Sequence, residues 1–157
     1  MFEAYLKSPI GNLRILANEA YIIQISFVDE YFKMDLIPNL IKDCMKQLDE
    51  YFKGERKEFS VPTNPDGTEF QGRVWNQLCK IPYGKTISYL ELARQLGNEK
   101  AIRAVGTANG QNPIPIIIPC HRVIGNDGSL TGYAGGLLKK QWLLEHEGAI
   151  QQKSLFW

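Results

Sequence analysis

The hydrophobic pattern of this chain changes its period once, and that change restricts it to a mixed architecture in two parts. Over the first 27 residues apolar and polar side chains alternate, the two-residue period of a strand with one buried face. Phe2 to Leu6, Leu13 to Ala17 and Tyr21 to Phe27 read as three strands, joined by the turn-forming stretches Ser8-Pro9-Ile10-Gly11 and Asn18-Glu19-Ala20. Pro38 then opens a segment in which Ile41, Met45, Leu48 and Phe52 recur at helical spacing before Gly54. A short strand at Phe59 to Val61 is expected to close this unit. Pro62-Thr63-Asn64-Pro65-Asp66-Gly67 is loop chemistry throughout. The expectation is an α+β fold with a sheet-and-helix domain at 1–65 and a mainly helical domain at 66–157.

In the second part Thr68 and Gln71 form a capping-box pattern ahead of Phe70, Val74 and Leu78, and Ile81-Pro82-Tyr83-Gly84 ends that helix. Ser88 and Glu91 form a second such pattern; Tyr89, Leu92, Ala93 and Leu96 share a face before Gly97 stops the helix. Asn98 starts another helix running to about Gly110, so the region reads helix, glycine turn, helix. At 100° per residue Ala101, Ile102, Val105 and Asn109 fall on one side of that helix, and Arg103, Gly106, Thr107 and Gly110 on the other. Helical glycine costs roughly 1 kcal/mol relative to alanine, and this face carries two. Either the helix packs closely on a neighbour or frays at Gly110, or its backbone approaches a large polyanion with Arg103 projecting.

Charge decides little between these. The chain of 157 residues has a net charge of +1, with 8 basic and 10 acidic residues in 1–65 (−2) and 10 against 7 in 66–157 (+3). Hydrophobic residues at 44% and charged residues at 22% are those of a globular protein. No apolar run is long enough to span a membrane, and the start lacks the pattern of an export signal, so a cytoplasmic location without membrane attachment is expected. Cys44, Cys79 and Cys120 are an odd number for a disulfide framework, and no C-x-x-C or H-x-x-x-H spacing suggests a metal site. Cys44 and Cys79 read as structural.

Cys120 is different. It follows Ile114-Pro115-Ile116-Ile117-Ile118-Pro119, an apolar run that must be buried and that reads as a strand, and it precedes His121 and Arg122. A cysteine at a strand end can be a small buried hydrophobe. It can also be a nucleophile, which needs a base to form the thiolate; His121 is within reach and Arg122 adds positive potential. In the last helix, Leu137 to Glu147, Glu147 extends the stripe of Lys140, Leu143 and Leu144 and lies in the final turn, where the macrodipole disfavours a carboxylate. It is either an exposed partner of Lys140 or the acid that orients His121, since His146 points away from that stripe. The second reading makes Cys120, His121 and Glu147 a nucleophile, base and orienting acid.

Pro119-Cys120-His121-Arg122-Val123, with Asn112-Pro113 before it and Gly132-Tyr133-Ala134-Gly135-Gly136 after it, is similar to the O6-alkylguanine-DNA alkyltransferases, or methylated-DNA–protein-cysteine methyltransferases. The resemblance extends through Gly67 to Gln71, Val74-Trp75, Ile81-Pro82-Tyr83-Gly84, Ile87-Ser88-Tyr89, Arg103-Ala104-Val105-Gly106 and Trp142 to Gly148. It is dense from about residue 48 to 148, weaker over the N-terminal strands, and does not cover 149–157.

The resemblance implies a ribonuclease-H-like N-terminal domain and a winged helix-turn-helix C-terminal domain. It implies DNA repair by irreversible, single-turnover transfer of an alkyl group from O6 of guanine, and possibly O4 of thymine, to Cys120. His121, polarised by Glu147, would take the thiol proton, and Tyr89 would protonate the departing base. The helix from Asn98 would enter the minor groove of double-stranded DNA, Arg103 filling the space of the flipped base, Gly106 permitting close approach and Asn98 lying near phosphates. Asn112 would brace the segment before Cys120, while Val123, Tyr133, Ala134 and Gly135 would surround the base. No cofactor and no metal are implied, and the protein would act as a monomer. Some relatives have a hydroxyl residue at the position of Ala134, which leaves the alkylated oxygen to backbone donors here. The alternative is a module that binds the lesion without transfer, from which Cys120 distinguishes this chain; a cysteine hydrolase unrelated to DNA would have no need of Arg103 among glycines.

Overall fold

In a computed structural model, residues 1–151 are described. The alternating segments form a three-stranded antiparallel sheet in sequence order: β1 (Phe2–Ser8), β2 (Gly11–Ala17) and β3 (Ile22–Val28). The β2–β3 connection is set by Asn18, whose side-chain oxygen accepts from the backbone N–H groups of Ala20 and Tyr21 at 2.8 Å each. Ala4, Leu13, Ile15, Ala17, Ile22 and Ile25 are buried, and helix α1 (Asn39–Phe52) contributes Ile41, Cys44, Leu48 and Tyr51 to the same core.

The expected strand at Phe59 to Val61 does not form. Only one parallel bridge joins Ile22 and Thr63, with Ile22 N donating to Pro62 O and Asn64 N to Ile22 O, each 2.9 Å. Pro62 and Pro65 lack the N–H groups a longer ladder needs.

Helix α2 (Glu69–Leu78) starts with the expected reciprocal cap: Gln71 N donates to Thr68 Oγ1 at 3.1 Å and Thr68 N to Gln71 Oε1 at 2.8 Å. A two-residue strand β4 (Ile87–Ser88) leads into α3 (Tyr89–Gln95). There Ser88 accepts from Glu91 N at 3.0 Å, but the Glu91 carboxylate accepts from Gln95 instead of returning to the cap, so only half of that box is built.

Gly97 adopts φ +88°, and a 3₁₀ turn (Glu99–Ala101), capped by Asn98, leads into α4 (Ile102–Gly110). Val105, Ala108 and Asn109 are buried, and Trp75 Nε1 donates to Ala108 O at 2.9 Å, locking α4 to α2. Ile102, expected on the buried side, is 37% exposed. The 3₁₀ turn winds by 120° per residue, so side chains after it do not continue the phase of an α-helix.

The apolar run 114–118 is buried but is a chain of turns, with Ile117 N donating to Pro115 O, Ile118 N to Ile114 O, and Ile116 at φ +74°. Prolines 113, 115 and 119 remove the donors that a strand would use. A 3₁₀ turn (Cys120–Arg122) follows, then β5 (Val123–Ile124), which pairs in parallel with β4 and brings Tyr89 beside the Cys120 segment. Helix α5 (Leu137–His146) closes the described chain, and residues 152–157, the end of the expected second unit, lie outside it. Among the described residues no helix is long and apolar enough to cross a membrane.

Candidate functional site

Asn112 shapes the turn that carries Cys120. Its Oδ1 accepts from Ile114 N at 3.0 Å and its Nδ2 donates to Ile118 O at 2.7 Å, closing the loop two residues before the cysteine. Asn109, from α4, donates to Cys120 O at 3.3 Å. Cys120 is 5% exposed, and burial pushes the pKa of its thiol up to about 11, against the opposing effects of Asn112 and the Lys140 charge. At neutral pH it is protonated, so any nucleophilic use requires a base.

His121 follows Cys120 in the same 3₁₀ turn. His121 is fully buried, and its Nε2 lies 2.7 Å from Glu147 Oε2. Burial lowers the His121 pKa below its ordinary 6.5 despite the Glu147 charge, so the ring is neutral at pH 7. Burial alone would raise the Glu147 carboxyl, but hydrogen bonds from His121 and Arg122 hold it well below the usual carboxylate range. An ionised carboxylate only accepts, which places the imidazole proton on Nε2 and leaves Nδ1 as the basic nitrogen. Nδ1 has no hydrogen-bond partner among the described residues.

Arg122, expected to add positive potential at Cys120, pairs with Glu147. Its Nε donates to Glu147 Oε1 at 2.8 Å, its Nη2 to Oε2 at 3.1 Å and its Nη1 to Ile81 O at 2.7 Å. Guanidinium and carboxylate match as forks, and a buried glutamate shared with His121 is where that match is used. Lys140 is likewise not the partner of Glu147. Fully buried, it donates to Val123 O at 2.6 Å and Thr131 O at 2.7 Å, tying the cysteine segment to the loop after β5. Burial pushes its pKa down to about 8, with Cys120 acting in the opposite direction.

Tyr89 is half-buried and donates to Thr131 O at 3.0 Å. With Ile102, Arg103, Gly106, Thr107, Thr131 and Gly132 it lines an open groove of about 610 Å³ along α4. Gly106 faces the Tyr89 ring, where a Cβ would sit 3.6 Å away, and Arg103 and Thr107 are exposed. Asn98 is exposed at the start of this helical segment, its Oδ1 accepting from Lys100 N at 3.0 Å.

Tyr133 is 8% exposed, its hydroxyl without a partner among the described residues. Ala134 is exposed and faces a crevice of about 260 Å³ with Asn112, Pro115 and Phe27. Gly135 is pressed between Phe27 and Tyr133; a Cβ there would come within 2.7 Å of one ring and 3.0 Å of the other. Val123 is buried in β5.

Tyr51, Phe27 and Asn109 were not legible as site residues. Tyr51 and Phe27 come from the first 65 residues, and the Tyr51 contact to Glu147 spans 96 positions. The signal for Lys140 was present, since it shares the Leu143 face of α5. Cys79 was expected to be structural and is exposed at the end of α2.

These buried charges predict the response to pH. As pH falls through 6.5 the unfolded chain takes up a proton that folded His121 does not, and stability is lost. Glu147 contributes fully above its unfolded value of 4.5 and loses that contribution as pH falls below it, so both groups act in the same direction. Above 9.0 the unfolded chain releases thiol protons that folded Cys44 (about 12) and Cys120 (about 11) retain, which also costs stability. Lys140 offsets part of that loss, because its folded pKa lies below the unfolded 10.5. Thermal melts are expected to be flat from about pH 6.5 to 8, to rise slightly as folded Lys140 loses its proton, and to fall below about 6.5 and above about 9. A melting temperature that stays level down to below pH 4.5 would contradict this assignment.

Comparison with known proteins gives matches over nearly the whole chain. Residues 1–65 match the family model "6-O-methylguanine DNA methyltransferase, ribonuclease-like domain", and residues 69–149 match "6-O-methylguanine DNA methyltransferase, DNA binding domain". The methylated-DNA–protein-cysteine methyltransferase of Methanosarcina acetivorans is 46% identical over 155 residues, covering 95% of this chain and 99% of its own. The O6-methylguanine methyltransferase of Mycobacterium tuberculosis superposes with a TM-score of 0.84 at 42% identity, covering 98% of this chain and 96% of its own. Mycobacterium tuberculosis OGT in complex with DNA superposes with a TM-score of 0.85 at 44% identity, covering 94% and 92%.

Proposed function

The chain belongs to the 6-O-methylguanine DNA methyltransferase family, a DNA-repair family acting by alkyl transfer, and we propose that Cys120 is the group that accepts the alkyl carbon. The observation that carries this reading is the buried His121–Glu147 bond of 2.7 Å, which orients a neutral base one residue along the chain from a protonated thiol.

His121 Nδ1 takes the thiol proton, directly or through one water. The sulfur attacks the alkyl carbon, a carbon–sulfur bond forms, and the carbon–oxygen bond to O6 of guanine breaks. The electron pair leaves with the base, which Tyr89 at the groove mouth protonates, and the phenolate is restored by the proton that the His121 imidazolium gives up through solvent. Atoms and charge balance without a cofactor. The product is a thioether, so each molecule acts once.

DNA is the partner, as it is for the Mycobacterium tuberculosis protein crystallised with it. The groove along α4 supports minor-groove entry: Gly106 lets the backbone come close, and exposed Arg103 can fill the space of a flipped base. Asn98 lies near phosphates at the start of that segment, while Tyr133, Val123, Ala134 and Gly135 surround the extruded base. Cys120, His121, Glu147 and Tyr89 all come from one chain, so a monomer is sufficient.

The test is the intact mass of the protein after incubation with a duplex carrying one O6-methylguanine. The expected result is gain of a single methyl, saturating at one per chain and mapping to Cys120. Lesion binding with no mass change would replace this reading with a recognition module. Absence of both binding and transfer would overturn it.

A further inference from the structure

We propose that Tyr51, from the N-terminal domain, is a positioning residue for the transfer, its hydroxyl setting the orientation and basicity of the Glu147–His121 pair. The inference rests on the functional reading above.

The Tyr51 hydroxyl donates to Glu147 Oε2 at 2.7 Å, the same oxygen that receives His121 Nε2 at 2.7 Å. Nothing about Tyr51 is loose. It is fully buried, its ring packed by Phe52, Phe59, Tyr83 and His146 at centroid distances of 5.4, 5.5, 6.2 and 5.1 Å. Its backbone carbonyl is 2.6 Å from His146 Nε2, and His146 in turn stacks on Trp142 at 4.7 Å. A phenylalanine would fill this aromatic surround as well, so what the tyrosine adds is its hydroxyl.

That hydroxyl acts on chemistry because Glu147 must hold two cations at the decisive moment. When His121 Nδ1 takes the Cys120 proton, imidazolium and the Arg122 guanidinium both lean on one carboxylate. A third donor on Oε2 lowers the basicity of that oxygen and keeps the proton on His121 Nε2. It also fixes the carboxylate plane, and with it the direction of Nδ1. The other titratable groups around the pair are Arg122 from the 3₁₀ turn, Lys140 from α5, Tyr83 from the chain between α2 and β4 and Tyr133 from the loop before α5, with Cys120 one residue before His121, Cys79 near Arg122 and His146 against Tyr51. Of these groups and Tyr51, only Tyr51 comes from residues 1–65.

Without the hydroxyl the carboxylate becomes more basic and stabilises imidazolium more strongly. His121 is then already protonated at a pH where the normal protein keeps it neutral. Tyr51→Phe is expected to move the acid limb of the single-turnover transfer rate upward by roughly half to one pH unit. Just below neutrality the rate should fall by about 3- to 10-fold, with a smaller loss at alkaline pH.

The experiment measures transfer from an O6-methylguanine duplex as a function of pH for the normal protein, Tyr51→Phe and Phe59→Leu. Phe59 touches the Tyr51 ring, so Phe59→Leu should lower the melting temperature and leave the profile in place. A nitrogen NMR titration of the His121 ring in Tyr51→Phe reads the same shift without any activity. An acid limb displaced only in Tyr51→Phe, with a matching NMR titration, supports the inference. Coincident profiles, whatever the stability, overturn it alone. Absence of transfer by the normal protein overturns the functional reading, and this inference with it.

Discussion

Cys120→Ala is expected to leave a folded protein that binds an O6-methylguanine duplex and never gains a methyl group. Loss of transfer should be complete rather than partial, because neither of the other two thiols belongs to the Cys120 turn. Cys44 is buried in the core on α1, and Cys79 lies at the end of α2. The site does not depend on the thiol for its shape: Asn112 and Asn109 hold the turn through backbone groups at Ile118, Ile114 and Cys120. Intact mass and a duplex-binding titration, run on both proteins, check the two halves of this expectation. A residual methyl gain in Cys120→Ala would move the acceptor elsewhere.

The same packing predicts the fate of the product. Cys120 is 5% exposed, and a methyl added to its sulfur must displace close-packed neighbours. Overpacking of this kind costs about 1–3 kcal/mol, or roughly 2–10 °C in melting temperature for a domain of this size. Melts of the protein before and after reaction measure it.

Glu147→Gln is expected to damage both fold and rate. The carboxylate accepts from His121, Arg122 and Tyr51. An uncharged amide leaves the buried Arg122 guanidinium uncompensated, a change that costs about 3–5 kcal/mol, and it must point its own N–H₂ at groups that also donate. A melting temperature lowered by roughly 10 °C follows. The rate effect is larger. With the acceptor gone, His121 loses both its tautomer and the charge that stabilises imidazolium, and transfer is expected to slow by about 10³- to 10⁴-fold. Single-turnover kinetics at a temperature where the variant is folded separates the two effects. A slowing of only a few fold would reduce Glu147 to a structural ion pair.

Much of this site was legible before any coordinates. A cysteine and a histidine adjacent in sequence need no fold to bring them together, and Glu147 stood out because a carboxylate at a helix C-terminus is electrostatically misplaced unless a partner requires it. Arg122 was legible as a cation but was aimed at the wrong group: adjacency to Cys120 says nothing about which way a side chain leaves a 3₁₀ turn. The strands expected at 59–61 and 114–118 failed for a shared reason. Apolar and β-branched residues suggested sheet, whereas the prolines among and beside them had already removed the hydrogen-bond donors.

What the sequence determined by itself is what depends on neighbours along the chain: the β-hairpins with their turn residues, the caps at Thr68 and Ser88, the glycine-bearing face around Arg103, and the Cys120-His121 pair. Each rests on contacts within a few residues, where spacing is geometry. The tertiary structure alone decided which groups converge on Glu147, that Tyr51 arrives there across 96 positions, and that Lys140 is buried between the cysteine segment and the loop after β5. Those contacts are long-range, and tyrosine, lysine and phenylalanine have several ordinary roles each. Only tertiary packing selects among them, because removing a polar group from water is costly unless it has found its partner.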